Sequence, residues 1–298
     1  MINRDEFLIS EIRQLERMLE DIPASAAIQR ISIENRLNRV RAALKRELAS
    51  PVPPRVKLTF RGRPTIGSHG IAADFGGKAT IAFADAFAAV VAGLNDNLQL
   101  MGPIPDREKN QLLITGTAVG SFGFEFELPA GGLFPEQENT EEALRKMQSL
   151  LEASATGSDD DVAELVDAIH PRAVKKISEF LSVLSQYQAW CGLEFKDRIF
   201  RYDGFDQLTR SASRLGEENI QEAAESYAGE FVGILPNSRT FEFQTADGLI
   251  KGRIGASIED PGVILRDWLK RSVHITLAVV HVGQGRPRFT LNDLPDHR

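Results

Sequence analysis

The sequence predicts an α+β protein in four segments. These are an N-terminal helical hairpin (1–50), a small β-α-β-β domain (55–130), an acidic, mainly helical middle (139–226) and a small C-terminal β-barrel, OB-like or SH3-like (229–298). Three observations predict this. The apolar spacing switches between helical and alternating periods along the chain, proline and glycine clusters punctuate the switches, and five short strand-like runs close the sequence.

In the first segment Leu8, Ile12, Leu15, Leu19 and Ile22 recur at intervals of four and three. After the break at Pro23-Ala24-Ser25, Ile33, Leu37, Val40 and Leu44 repeat that spacing. Each set is a narrow apolar stripe of the kind that forms a coiled-coil seam. Residues 1–21 carry six acidic and three basic side chains, and 22–50 carry six basic and two acidic. Folding one arm onto the other brings Glu11, Glu16 and Glu20 towards Arg36, Arg39 and Arg41. A hairpin this narrow buries little by itself, so Leu8, Ile12, Leu15, Leu19, Leu37, Val40 and Leu44 are candidate partner-binding residues, for the protein's own body, a second copy or another protein.

Pro51-Val52-Pro53-Pro54 ends the second helix, because successive prolines lack amide donors and hold the backbone extended. Val56 to Phe60 alternates like a strand. A small-residue apolar helix follows from about Asp74 to Leu94, its alanines permitting close approach to a sheet. Two strands come next, Leu112–Thr117 and Ser121–Leu128. In the second, Phe122, Phe124, Phe126 and Leu128 share one face, and Gly123, Glu125 and Glu127 the other.

A Gly, Pro and acid loop covers 129–139, and Asn139 or Thr140 caps a helix. Asp159-Asp160-Asp161 precedes a second apolar-periodic run, and His170-Pro171 opens a third through Tyr187, with Trp190 and Cys191 at its end. Leu193–Lys196 is a short strand candidate, and 204–226 returns to helical composition. The final segment has candidate strands at Phe231–Leu235, Arg239–Thr245, Leu249–Ile254, Val273–Val282 and Arg288–Leu291, with a helical stretch at Pro261–Leu269 after the third. Five strands with a helix in that place is the order of a small Greek-key barrel.

The 298 residues are 42% hydrophobic and 26% charged, which excludes a disordered or low-complexity chain. No uninterrupted apolar run reaches the roughly 18 residues of a membrane span. The charged N-terminus lacks a signal-peptide core, so a cytoplasmic protein with no membrane partner is expected. Net charge is −7, concentrated in 129–228, where 19 acids face 10 bases. No segment has the basic excess usual in a duplex-DNA binder.

The single cysteine, Cys191, excludes an internal disulfide, and core packing is its expected role. The histidines do not stand at metal-ligand spacing, so no metal and no cofactor is expected. Glu125 and Glu127 share an exposed strand face, but no further acid or base completes a mechanism with them. Loop 61–70 is the most suggestive ligand site: Arg61, Arg63, Ser68 and His69 sit among glycines before a helix, with Lys78 close behind. Asp74 would stand where an anion should sit. In the barrel, Arg239, Lys251, Arg253, Arg286 and Arg288 with Phe241, Phe243 and Phe289 supply a basic track and aromatic rings, the ingredients of single-strand nucleic-acid binding. Phe241 and Phe243, two residues apart, face the same way, the core side in so small a barrel.

The expected function is therefore a non-enzymatic adaptor or regulator acting through a protein partner or as a homo-oligomer. The alternatives are single-stranded nucleic-acid binding by the barrel, and a ligand sensor or enzyme using loop 61–70.

Overall fold

Apolar residues at alternating intervals of three and four select a helical backbone, and the computed structural model has two helices in the first segment, α1 (Arg4–Asp21) and α2 (Ala27–Ala49). The structure describes residues 4–23, 26–49, 53–118, 122–128 and 136–295. Leu15, Leu37 and Val40 are buried where the helices meet, and Leu8, Ile12, Leu19 and Ile33 pack around them. Leu44 is half-buried beyond that cluster. Arg36 pairs with Glu11 and Arg41 with Glu16, each at 2.7 Å. Both pairs are open to water, so each is worth only about 0.2–1 kcal/mol. Arg30 secures the turn by donating to the Leu19 and Ile22 carbonyls. Residues 1–53 form one compact unit and 54–298 a second.

The second unit is organised on an antiparallel sheet. Its strands are β1 (Arg55–Gly62), β4 (Leu113–Thr117), β5 (Gly123–Glu127), β6 (Ala189–Phe195) and β7 (Arg198–Arg201), in the order β4-β5-β1-β6-β7. A two-stranded ribbon, β2 (Thr65–Ile66) with β3 (Gly70–Ile71), follows β1. Alternation decides the faces: Val56, Leu58 and Phe60 of β1 and Phe126 of β5 are fully buried, while Lys57, Glu125 and Glu127 point the other way. Helices α3 (Ala73–Leu94), α4 (Glu136–Thr156), α5 (Asp159–Asp167), α6 (Pro171–Gln186) and α7 (Phe205–Arg214) complete this core. Buried Ala79, Ala86 and Ala89 let α3 approach closely, and Phe83 packs against Phe126 and Phe180. Each such buried phenylalanine contributes about 1.5–3 kcal/mol.

Three sequence expectations change here. Cys191 does not end a helix: α6 stops at Gln186, and Cys191 lies in β6, opposite Phe60 of β1. That pairing brings β6 and β7 into the sheet of β1 and β5, so segments 55–130 and 139–226 share one sheet and one core. Second, the helical reading of 204–226 holds only to Arg214, and the chain is a strand again from Ile220. Third, although no unbroken apolar run reaches the length of a membrane span, α3 is by length and composition apolar enough to cross a bilayer. Half of its most apolar window is buried inside the protein, which makes it a core helix here.

The remaining strands are β8 (Ile220–Leu235), β9 (Thr240–Thr245), β10 (Leu249–Ile254), β11 (Ser272–Val282) and β12 (Arg288–Leu291), with α8 (Gly262–Asp267) before β11. They close into a barrel in the order β10-β12-β11-β8-β9, with β10 and β12 parallel and every other pair antiparallel. Phe231, Phe241, Phe243, Ile264, Leu277 and Leu291 fill it, Phe231 meeting Phe241 and Phe243 edge-on. Gly252 is required by contact, because a Cβ there would stand 2.5 Å from the Phe289 carbonyl oxygen and 2.6 Å from the Phe241 ring.

Candidate functional site

Acidic residues of α5 join the helical body to the barrel. Asp159 accepts from the Gln284 amide (3.0 Å) and from Arg214 (2.7 Å), and Asp160 accepts from the Arg286 amide (2.7 Å). Asp167 accepts from Thr290 Oγ1 (3.0 Å) and pairs with Arg253 (3.4 Å). The Gln284 amide, and after it Arg214, hold the Asp159 carboxyl below the ordinary aspartate range. This clamp leaves a cleft of about 700 Å³ between the two parts. Its floor is small and apolar, from Ala224 of β8 and Ala278 and Val280 of β11, and the α5–α6 turn, Asp167 to Pro171, stands over it.

Two titratable groups of the cleft are perturbed. His170 is the N-cap of α6, its Nδ1 accepting from the Arg172 amide at 3.2 Å. Burial, and then the Arg172 charge, push its pKa down, against a hydrogen bond to the Leu98 backbone. A neutral histidine with Nδ1 committed to a helix end is a capping group, not a free base. Glu222, on β8, is pushed up by desolvation against the cleft wall, although it remains open to water on its other side. Neither Glu222 nor Asp96, across the cleft, has an ion-pair partner among the described residues.

The strand that carries Glu222 is paired unevenly. Over Ile220–Ala228, β8 pairs with β11 alone, and its pairing to β9 begins only at Gly229. Among the described residues no other strand meets that first half, and Gln221 to Ser226 are exposed. A run of backbone donors and acceptors therefore faces water along the side of the cleft.

The basic residues expected to hold nucleic acid are mostly engaged inside the molecule. Arg239 donates to the carbonyls of Ile254 (3.1 Å), Gly255 and Ile258 (2.7 Å), which makes it a structural clasp. Lys251 pairs with Glu242 at 2.7 Å, Arg253 with Asp167, and Arg288 with the Asp160 carbonyl and Glu164. Of the five, the Arg286 side chain alone has no partner among the described residues. Phe241 and Phe243 are in the barrel core, and Phe289 is half-buried against Tyr227.

Loop 61–70 does not gather its polar groups. Arg61, Arg63, Ser68 and His69 are spread over an exposed ribbon. Loop amides are spent internally, the Arg63 amide on the Gln188 carbonyl and the His69 amide on Ile66. Gly62 is needed there, since φ is +112° and a Cβ would stand 2.3 Å from the Gln188 oxygen. Lys78 turns away to the Tyr187 hydroxyl (2.7 Å), which donates to Asp74 (3.1 Å). Glu125 and Glu127 are both bound by Arg55, at 3.0 and 3.7 Å. Cys191 is buried among apolar neighbours, which raises its thiol pKa to about 12.

Sequence reasoning did not find the cleft, because its walls come from separate segments scattered between Gly93 and Asn292 that carry no shared motif. A signal existed for the open edge: Glu222-Ala-Ala-Glu225 is a stretch of small and acidic residues just before a strand-like run. Compared with protein-family models, curated proteins and solved structures, the chain matches none.

Proposed function

We propose that the protein is a non-enzymatic cytoplasmic adaptor or regulator that self-associates through the α1/α2 hairpin, by apolar residues left outside the seam its two helices form with each other. The observation that carries this reading is incomplete burial. The hairpin encloses only Leu15, Leu37 and Val40 among its described residues, while Phe7, Met18 and Ile31 stay exposed. Phe7 and Met18 are three helical turns apart and so share a side of α1. The occupant best suited to that surface is a second copy. Glu20 and Asp21 of α1 and Arg39 and Lys45 of α2 have no ion pair among the described residues, so acidic α1 of one chain complements basic α2 of another. Sedimentation equilibrium of the full chain tests it. A dimer or larger assembly is expected at micromolar concentration, with F7E/M18E/I31E monomeric at unchanged far-ultraviolet circular dichroism. A parent chain that sediments as a monomer, or a variant that assembles as the parent does, would refute the proposal.

One observation favours a second reading, single-strand nucleic-acid binding. Numbered from β8, the barrel order is 1-2-3-5-4 with strands three and five parallel and a helix after the third, which supports an OB-like over an SH3-like barrel. A hollow of about 550 Å³ lies against β9 and β10. Its Lys251, Arg253 and Arg288 are neutralised by Glu242, Asp167 and Glu164, which ranks this reading second. Fluorescence anisotropy with a labelled oligothymidylate at low salt decides it: saturable binding that weakens with salt supports it, and a flat titration removes it.

A further inference from the structure

The open half of β8 and the hollows beside it lie outside the hairpin reading and point to a distinct activity. We infer that the edge Ile220–Ala228 captures an extended peptide by strand addition, and that Glu222 selects a basic side chain on that peptide.

Three observations converge. An antiparallel strand exchanges hydrogen bonds on two sides, and here one side is used by β11 while the other meets no strand among the described residues from Gln221 to Ala228, the Ile220 amide being taken by the Gly216 carbonyl. Edge strands of this length are ordinarily shortened, bulged or guarded by lysine or proline. This one carries neither residue over 220–228, and its only register shift lies further on, at Phe231/Gly233. Second, the edge is flanked by places for alternate side chains. Glu222 belongs to the wall of the 700 Å³ cleft and also to a second hollow of about 290 Å³ lined by Leu100, Val174, Leu215 and Ile220. A bound strand sends successive side chains to opposite faces. Those on the Glu222 and Ala224 side enter the cleft, where the alanines leave room. Third, the charge is one-sided. Glu222 and Asp96 are unpaired, whereas the cleft's two arginines are committed, Arg239 to carbonyls and Arg253 to Asp167. A lysine or arginine head beside Glu222 would give that carboxylate the ion pair it lacks among the described residues.

The test uses the full chain and a fluorescent peptide of alternating lysine and valine as long as the edge. Two controls accompany it: the glutamate–valine counterpart, and the lysine–valine peptide with alternate backbone amides N-methylated, which keeps its charge and removes its strand hydrogen bonds. Saturable binding of the first is expected, with amide exchange slowed at 221–227 and both controls at least about tenfold weaker. E222K, an exposed substitution, should weaken the lysine–valine peptide by a similar factor. No binding up to about 1 mM would overturn the inference. So would equal binding of the N-methylated peptide, since attraction to a protein of charge −7 would then suffice. Unchanged affinity of a folded E222K would remove the selection by Glu222. F7E/M18E/I31E is expected to bind the peptide as the parent does, so failure of the hairpin reading leaves this result standing.

Discussion

Arg239 was a candidate nucleic-acid contact by composition and is a clasp by geometry, and R239A separates the two roles. Its guanidinium ties the β8–β9 turn to the end of β10 through the Ile254, Gly255 and Ile258 carbonyls. A hydrogen bond from a charged donor is worth about 1.5–3 kcal/mol when both groups are shielded. Arg239 is half-buried, so the released carbonyls regain some water, and the low end applies. Three bonds at that end, less partial rehydration, give a loss of roughly 3–4 kcal/mol. Trp268, in the barrel core, reports barrel unfolding by fluorescence once Trp190, in the sheet, is replaced by phenylalanine. With a urea slope of about 2 kcal/mol/M, the midpoint should fall by roughly 1.5–2 M. R239K retains the charge but cannot span three carbonyls, and should recover less than half of the loss. R286A, which removes a side chain with no partner among the described residues, should leave the midpoint in place. A midpoint for R239A within about 0.3 M of the parent, or an equal fall in R286A, would refute the reasoning.

Two further outcomes follow from the titratable groups. The native Asp159 pKa lies below its ordinary value of 3.8, so its contribution to stability is fully present above that pH and is lost as pH falls through the depressed native value. Acid titration of the parent should therefore show a loss of body–barrel contact below about pH 4 that D159N, which cannot ionise, no longer shows; identical acid limbs would contradict the clamp. The Cys191 thiol, buried and raised to about 12, should resist a disulfide reagent in the native protein and react with one equivalent after denaturation, while rapid native labelling would contradict its place in the sheet core.

Local pattern was enough wherever an element's own residues decide it. The seam of α1 and α2 follows from leucine and isoleucine spacing, and the β5 faces follow from Phe124 and Phe126 alternating with Glu125 and Glu127. His170-Pro171 at the start of α6 follows from proline's fixed backbone at a first helical turn. The barrel strands after Gly229 were legible for the same reason.

Tertiary structure decided what depends on partners distant in sequence. The stretch Gln221–Ser226 is rich in helix-forming alanine, glutamate and glutamine, and it is a strand because β11, some fifty residues on, supplies its hydrogen bonds. Trp190 and Cys191 entered the sheet because β1, about 130 residues earlier, had an open side for them. The same separation governs the candidate sites: which carboxylate meets Arg253 or Arg288, and which strand edge is left without a neighbour, are properties of closure. Hydrophobic period sets the direction in which a side chain points, and only the folded chain sets what it meets there.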